Sequence, residues 1–386
     1  MKIRYKSLLF LLIAFAMVGV FTACSDDDDP SSGGEPRVEY IRITDPEASD
    51  SLLVTAGQGA MVAIIGENLA DAREIWFNDL RGELSPTFIT NNTIITRVPS
   101  DIPTEINNKI TLVFGNGRRL EHDFVVDISE PLLTRMGSEY VPAGEVATIR
   151  GNYFYEPITV TFTGGVEGEV VSVSADNRVL EVRVPEGAEP GPVTVTTNFG
   201  ETESDFWFRD NRNLIATFDA GTEGLWHGPD FIKGSDADIE PINGNFLRIN
   251  RELAGWAWFE TYVGEASSVA GTEFSNLPAA AIANPADYVL KFEINTLAPL
   301  TGAHIRMYVG QNMAGERGDI NYNWQPNLNT EGEWQTVSIP FSAFWEANNK
   351  FGYNPDGYGV SFHFSGPNAV HANYAMDNLR VVPIND

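Results

Sequence analysis

The chain has a single cysteine, Cys24, which leaves it without an internal disulfide or a cysteine metal cluster. Its five histidines are not spaced as metal ligands, so metal-assisted hydrolysis has no site. Basic residues are scarce: 25 Lys and Arg face 53 Asp and Glu. That surface repels phosphate backbones and excludes nucleic acid as a partner, whereas a neutral ligand is not repelled. No apolar run reaches the about 20 residues of a spanning helix. No heptad or 3.6-residue pattern is sustained, and the GxSxG elbow of a serine hydrolase does not occur.

What is present starts with Lys2, Arg4 and Lys6, an apolar run of about 14 residues from Leu8 to Phe21, and then Thr22-Ala23-Cys24. A positive start and a short apolar stretch make residues 1–23 a signal peptide. The small residue before Cys24 resembles the lipobox of bacterial lipoproteins. The resemblance implies lipidation at Cys24 and an outer-membrane lipid anchor. Cleavage there leaves 22 basic against 53 acidic residues, a net charge of −31. Residues 24–36 hold Asp26-Asp27-Asp28-Asp29 and then Pro30-Ser31-Ser32-Gly33-Gly34. Adjacent carboxylates repel and cannot pack, so this is a solvated tether. An acidic run after such a cysteine resembles the surface-export signal of Bacteroidota lipoproteins, which implies an outward-facing protein.

The first half repeats itself. Ala56-Gly57-Gln58-Gly59 and Gly66-Glu67-Asn68 correspond to Ala143-Gly144 and Gly151-Asn152-Tyr153, and Arg97-Val98-Pro99 corresponds to Arg183-Val184-Pro185. The offset stays near 85 residues, which marks two copies of one module. Alternating segments such as Ile158–Phe162 and Val193–Thr197 predict half-buried strands. Modules of about 90 residues suit immunoglobulin-like sandwiches, here at 37–128 and 129–210. The apolar–Gly–x–Asn pattern resembles the IPT/TIG variant, with the second copy displaced by one place. Trp76 and Trp207 sit in strand-like runs and read as core. We read both modules as spacers.

Residues 211–386 differ, with six of the eight tryptophans and four of the five histidines. Strands are expected at 288–294, 304–309, 334–339 and 358–364, with no helix, which fits a jelly-roll β-sandwich. The segments around Trp334 and Tyr374–Pro383 resemble strands of jelly-roll carbohydrate-binding modules. The fold class is therefore all-β: two tandem immunoglobulin-like (IPT/TIG) sandwiches, then a C-terminal jelly roll.

Sugars stack apolar C–H faces on aromatic rings, and their hydroxyls need planar polar partners. Three segments of the terminal domain offer both. Trp226 lies in a Gly/Pro loop, where ligand contact stands against loop packing. Trp256, Trp258 and Glu260, read as a strand, share one face that points either to ligand or to the core. Tyr322, Asn323 and Trp324 sit in a loop-like polar context, as a stacking site or an ordinary surface loop. Between these, Ile305, Met307 and Val309 point inward, which leaves His304, Arg306 and Tyr308 opposite and makes Arg306 a candidate polar contact. Trp334 and Trp345 are assigned to structure. Asp236 and Asp238 are available for a structural calcium, but nothing selects a metal or cofactor.

Taken together, Cys24, the acidic tether, the tandem modules and the aromatic-rich terminal domain resemble surface glycan-binding proteins of the SGBP-B type. The resemblance implies non-catalytic capture of a neutral β-glucan (xyloglucan, mixed-linkage or β-1,3-glucan) beside a SusC/SusD-like import pair. It also places Trp226 and Trp256–Trp258 near that family's stacking aromatics. Two rivals stand. A protein-binding adhesin would use the immunoglobulin-like modules. A glycoside hydrolase would need paired carboxyls drawn from Glu260, Glu293 and Asp377.

Overall fold

The computed structural model describes residues 34–45, 51–219, 228–263, 277–310, 321–347 and 359–384. Cys24 and most of the tether lie outside them. The chain divides into two compact units, Met1–Ile128 and Ser129–Asp386.

The first unit contains β1 (Arg37–Ile43), β2 (Thr55–Gly57), β3 (Met61–Glu67), β4 (Ala72–Phe77), β5 (Leu80–Gly82), β6 (Thr93–Arg97), β7 (Lys109–Phe114), β8 (Arg119–Asp123) and β9 (Val125–Asp127). Strands β1-β3-β6 form one sheet and β5-β4-β7-β8 another, with β2 parallel to β9. Val62 and Ile64 of one sheet meet Ile75, Phe77, Ile110 and Leu112 of the other in a single core.

The second module follows with β10 (Leu132–Met136), β11 (Val146–Asn152), β12 (Thr159–Phe162), β13 (Val166–Val173), β14 (Val179–Arg183), β15 (Gly191–Thr197) and β16 (Gly200–Phe208). Strand β13 pairs with both β14 and β12, which joins the ladder into the order β10-β11-β14-β13-β12-β15-β16. Ile149, Val160, Phe162, Leu180, Val195 and Phe208 fill its core.

The repeated residues have matching physical jobs. A Cβ on Gly66 would sit 2.0 Å from the Arg37 carbonyl oxygen, and one on Gly151 1.8 Å from that of Leu132. Only glycine lets the first strand of each module cross that closely. Two residues later, Asn68 and Tyr153 both adopt a left-handed backbone, at φ 58° and 63°. The position displaced in the second copy is thus held by Tyr153, not Asn152. Arg97 and Arg183 each donate to the carbonyl of the equivalent turn glycine, Gly59 and Gly144.

Trp76 and Trp207 are not core. Their neighbours Ile75, Phe77, Phe206 and Phe208 take the inward positions, which leaves both tryptophans half-buried on outer faces. Trp76 Nε1–H donates to Glu74 (3.0 Å), and the Arg212 guanidinium covers the Trp207 ring at 3.9 Å.

The terminal domain contains β17 (Leu214–Ala216), β18 (Ile232–Lys233), β19 (Phe246–Leu253), β20 (Phe259–Val263), β21 (Tyr288–Thr296), β22 (Ile305–Gly310), β23 (Asn321–Trp324), β24 (Trp334–Pro340), β25 (Gly359–Phe364) and β26 (Val370–Pro383). One sheet runs β18-β19-β26-β21-β24, with β17 also on β26; the facing sheet runs β20-β25-β22-β23. Between them lies the largest core, including Leu290, Phe292, Ile294, Met307, Phe362 and Val381. Two short helices, Ala279–Ala283 and Ser342–Ala347, depart from the all-strand expectation. Helices this short are marginal alone, and these are held by burying Ala281, Ile282 and Phe344.

Within the second unit, the immunoglobulin-like module is built into the terminal domain. The segment after β10 places Glu139 against the outer face of the six-stranded sheet. Its carboxylate accepts from Lys291 (2.6 Å) and from Arg380 (2.5 Å). Arg380, fully buried, also reaches Glu293 at 2.9 Å, and Ser138 donates to Glu293 at 3.0 Å. The backbones join as well: Thr336 N–H donates to Gly137 O (2.9 Å), and Glu139 N–H to Thr336 Oγ1 (2.7 Å). Burial alone would lower the Arg380 pKa, but the Glu139 and Glu293 charges outweigh it and hold the guanidinium protonated.

Candidate functional site

The four-stranded sheet positions the site. Phe259, Ile305, Met307, Val309, Phe362 and Phe364 point into the core, so alternate residues face the other way. The expected split of β22 holds, with Arg306 and Tyr308 opposite Met307. Register places Glu260, His363, Arg306 and Asn323 in one row across all four strands. Glu260, Tyr308 and His363 are nonetheless buried, while Arg306 is half-buried and Asn323 exposed. Asn323 Nδ2 lies 3.2 Å from His304 Nδ1.

A turn at 254–258 leads into β20. It closes with Ala257 N–H on Ala254 O (3.0 Å) and is tied down by Trp256 N–H on Gly366 O (2.5 Å). Two glycines permit that approach: a Cβ on Gly255 would lie 2.4 Å from Pro367 O, and one on Gly366 2.5 Å from His304 Cβ. Trp256 is left-handed at φ 61°. That conformation costs a non-glycine residue about 1–2 kcal/mol. No burial offsets the cost, since Trp256 is 68% and Trp258 48% exposed. Both indoles are thus presented to solvent rather than packed into the core.

Trp258 is anchored. Its Nε1–H donates to Glu260 Oε1 at 3.1 Å. Its ring centroid lies 4.9 Å from that of His363, tilted 53°, and 6.4 Å from that of Tyr308. His363 Nδ1 is 3.6 Å from the same Glu260 oxygen.

The sequence-derived residues fare differently. Strand β20 begins at Phe259, so Trp256 and Trp258 belong to a turn and not to the expected strand, yet both are exposed. Of the loop expected at 321–326, Asn321–Trp324 is strand. Pairing of Ile305 with Trp324 and Met307 with Tyr322 turns both aromatics inward. Tyr322 packs on Phe344 (5.6 Å) and Trp324 on Phe292 (5.5 Å), which makes them part of the core rather than open stacking surfaces. Asn323, between them, stays on the polar face. Trp226 lies outside the described residues. Trp334 and Trp345 are structural, as read: Trp334 donates to Glu240 O at 2.8 Å, and Trp345 packs on Phe341 at 4.9 Å. Sequence reading placed Tyr308 on this face without giving it a role, and passed over His363. The alternation of Val360, Phe362 and Phe364 was the signal, since it sends Ser361 and His363 to the polar face.

Of the hydrolase carboxylates, Glu293 and Asp377 are register partners on β21 and β26, but both are buried. Glu293 is taken up by Arg380, Ser138 and Thr336, and Glu260 is on the other sheet. Asp236 is engaged by Arg248 (3.1 Å) and by the Asp238 N–H (2.9 Å). Among the described residues, no group of three or more His, Cys, Asp or Glu could hold a metal ion.

Residues 208–383 match the family model described as the surface glycan-binding protein B xyloglucan binding domain. The terminal domain of this chain is thus similar to that family's glycan-binding domain. An IPT/TIG domain-containing protein of Bacteroides ovatus is 29% identical over 167 residues, 40% of this chain and 33% of that one, so the chain spans about a third of that relative's length. The crystal structure of surface glycan-binding protein PbSGBP-B from Prevotella bryantii has the same fold: TM-score 0.67 at 23% identity, covering 91% of this chain and 99% of that one. An SGBP-B from a complex xyloglucan utilization locus in Bacteroides uniformis aligns at TM-score 0.48 and 18% identity, covering 91% and 100%.

Proposed function

We propose that this chain captures a neutral β-glucan, of the xyloglucan or mixed-linkage kind, at the cell surface without cleaving it. The observation that carries the reading is the pair Trp256 and Trp258, exposed beside a sheet face bearing Arg306 and Asn323. Exposed indoles supply the apolar stack and the polar row supplies hydroxyl partners. The xyloglucan-binding description of the matched family supports the ligand class. An acidic surface also favours an uncharged polymer over an anionic one. Cys24 and the acidic tether support a lipid-anchored, outward-facing placement, from which a loosely held chain passes to an import complex. A few stacked rings correspond to about −4 to −8 kcal/mol, and many copies on one polymer supply the rest by avidity.

The test is native affinity electrophoresis of residues 37–386 through gels containing xyloglucan, barley β-glucan, laminarin, xylan or galactomannan. Retardation by a β-glucan, abolished in Trp258→Ala at a temperature where its melting curve shows that variant still folded, is expected, because the half-exposed ring is the stacking surface. No retardation by any glycan would overturn the proposal in favour of the protein-binding adhesin.

A further inference from the structure

Glu260 has the chemistry of a glycan contact but not the placement of one. It is only 7% exposed, and its Oε1 already accepts the Trp258 indole N–H at 3.1 Å. Behind the indole, His363 is fully buried and Tyr308 2% exposed, with ring centroids 4.9 and 6.4 Å from that of Trp258. His363 and Tyr308 themselves meet edge-on at 5.2 Å. Three buried side chains from three different strands therefore converge on one half-exposed ring. Glu260 fixes the edge of the indole and the two other rings fix its back. Trp256 contrasts with it: no aromatic ring contact to it is formed among the described residues, and its backbone alone is tied down.

An exposed tryptophan free to turn loses that freedom when a sugar stacks on it, and this weakens binding. A ring fixed beforehand avoids the loss. We propose that Glu260 is a positioning residue: with His363 and Tyr308 behind the ring, it holds the Trp258 indole in its stacking orientation and does not itself touch the glycan. The proposal rests on the glucan-capture reading above. It makes the two tryptophans unequal, Trp258 a pre-set wall and Trp256 an adjustable one.

The test combines calorimetry with an indole signature in the full mature chain, using xyloglucan oligosaccharides as the probe. The indole N–H resonance of Trp258, assigned by its loss in Trp258→Phe, reports the bond to Glu260, and the remaining dispersed resonances report folding. Glu260→Ala is expected to shift that resonance and weaken binding about 3- to 10-fold, the range set by immobilising one large side chain. Glu260→Gln, which keeps an acceptor oxygen, is expected to recover most of the loss. In the Trp258→Phe background, Glu260→Ala is expected to add nothing, since the N–H that it holds is gone. Equal, additive losses from Glu260→Ala and Glu260→Gln in both backgrounds would overturn the proposal and assign the carboxylate to the glycan. An unshifted indole resonance in Glu260→Ala would overturn it as well. Failure of the wild-type chain to bind any probe, with the resonance still shifting, would instead sink the capture reading and leave the anchor standing.

Discussion

Glu139→Ala probes the joint inside the second unit. Glu139, Glu293, Lys291 and Arg380 form a neutral set of two carboxylates and two cations, all at most 9% exposed. Removing Glu139 strands one positive charge, with Arg380 fully buried and unable to reach water. Breaking a buried pair by deleting one partner costs about 3–5 kcal/mol. The two bonds that Glu139 accepts, at 2.6 and 2.5 Å, give a similar figure at about 1.5–3 kcal/mol each for hydrogen bonds to charged groups. With a urea slope of about 3 kcal/mol/M, the midpoint should fall by about 1–1.7 M. Tryptophan fluorescence is the probe, because six of the eight tryptophans lie in the terminal domain. Exposed Glu145→Ala is the control, and it should move the midpoint by less than about 0.2 M. A fall below about 0.3 M for Glu139→Ala would mean that the module and terminal domain are energetically independent, and the reasoning would be refuted.

Two further substitutions test other parts of the fold. Asp377 is buried, and that desolvation, helped by the nearby Asp219 charge, holds its pKa well above the ordinary carboxylate range despite a hydrogen bond from the Asn378 N–H. Its raised folded-state pKa means that the stability it contributes is complete below about pH 4 and is lost as pH rises through the folded value. Asp377→Asn should therefore match wild type near pH 4 and melt higher at pH 8; equal melting shifts at both pH values would refute this. Gly151→Ala drives a Cβ to 1.8 Å from the Leu132 carbonyl oxygen. It should destabilise the second module by about 1–3 kcal/mol in denaturant titrations, and a neutral result would mean that β10 and β11 do not cross as described.

Much of the architecture was legible because it is local. The strands expected at 304–309 and 334–339 and the repeat spacing near 85 residues all survive in the fold. What escaped depends on pairing between distant segments. Tyr322 and Trp324 looked polar and exposed in isolation, and only their alignment with Met307 and Ile305 turns them inward. The turn carrying Trp256 is fixed by close approach to Gly366 and Pro367, more than 100 positions away, so a continuous strand was the natural reading. Glu139 gave no sign of a buried partner, because Arg380 lies 241 residues further on. His363 was passed over because a histidine in an alternating strand reads as an ordinary surface residue until the neighbouring Trp258 covers it.

The joint at Glu139 also sets what can be moved between proteins. Recombination or grafting at the apparent border near residue 211 would leave Arg380 and Lys291 on a bared sheet face without Glu139. The inheritable cassette instead begins near Ser129, with the second module travelling as the terminal domain's own cover. Shuffling of glycan-binding ends onto new stalks should then cut before that module, not after it.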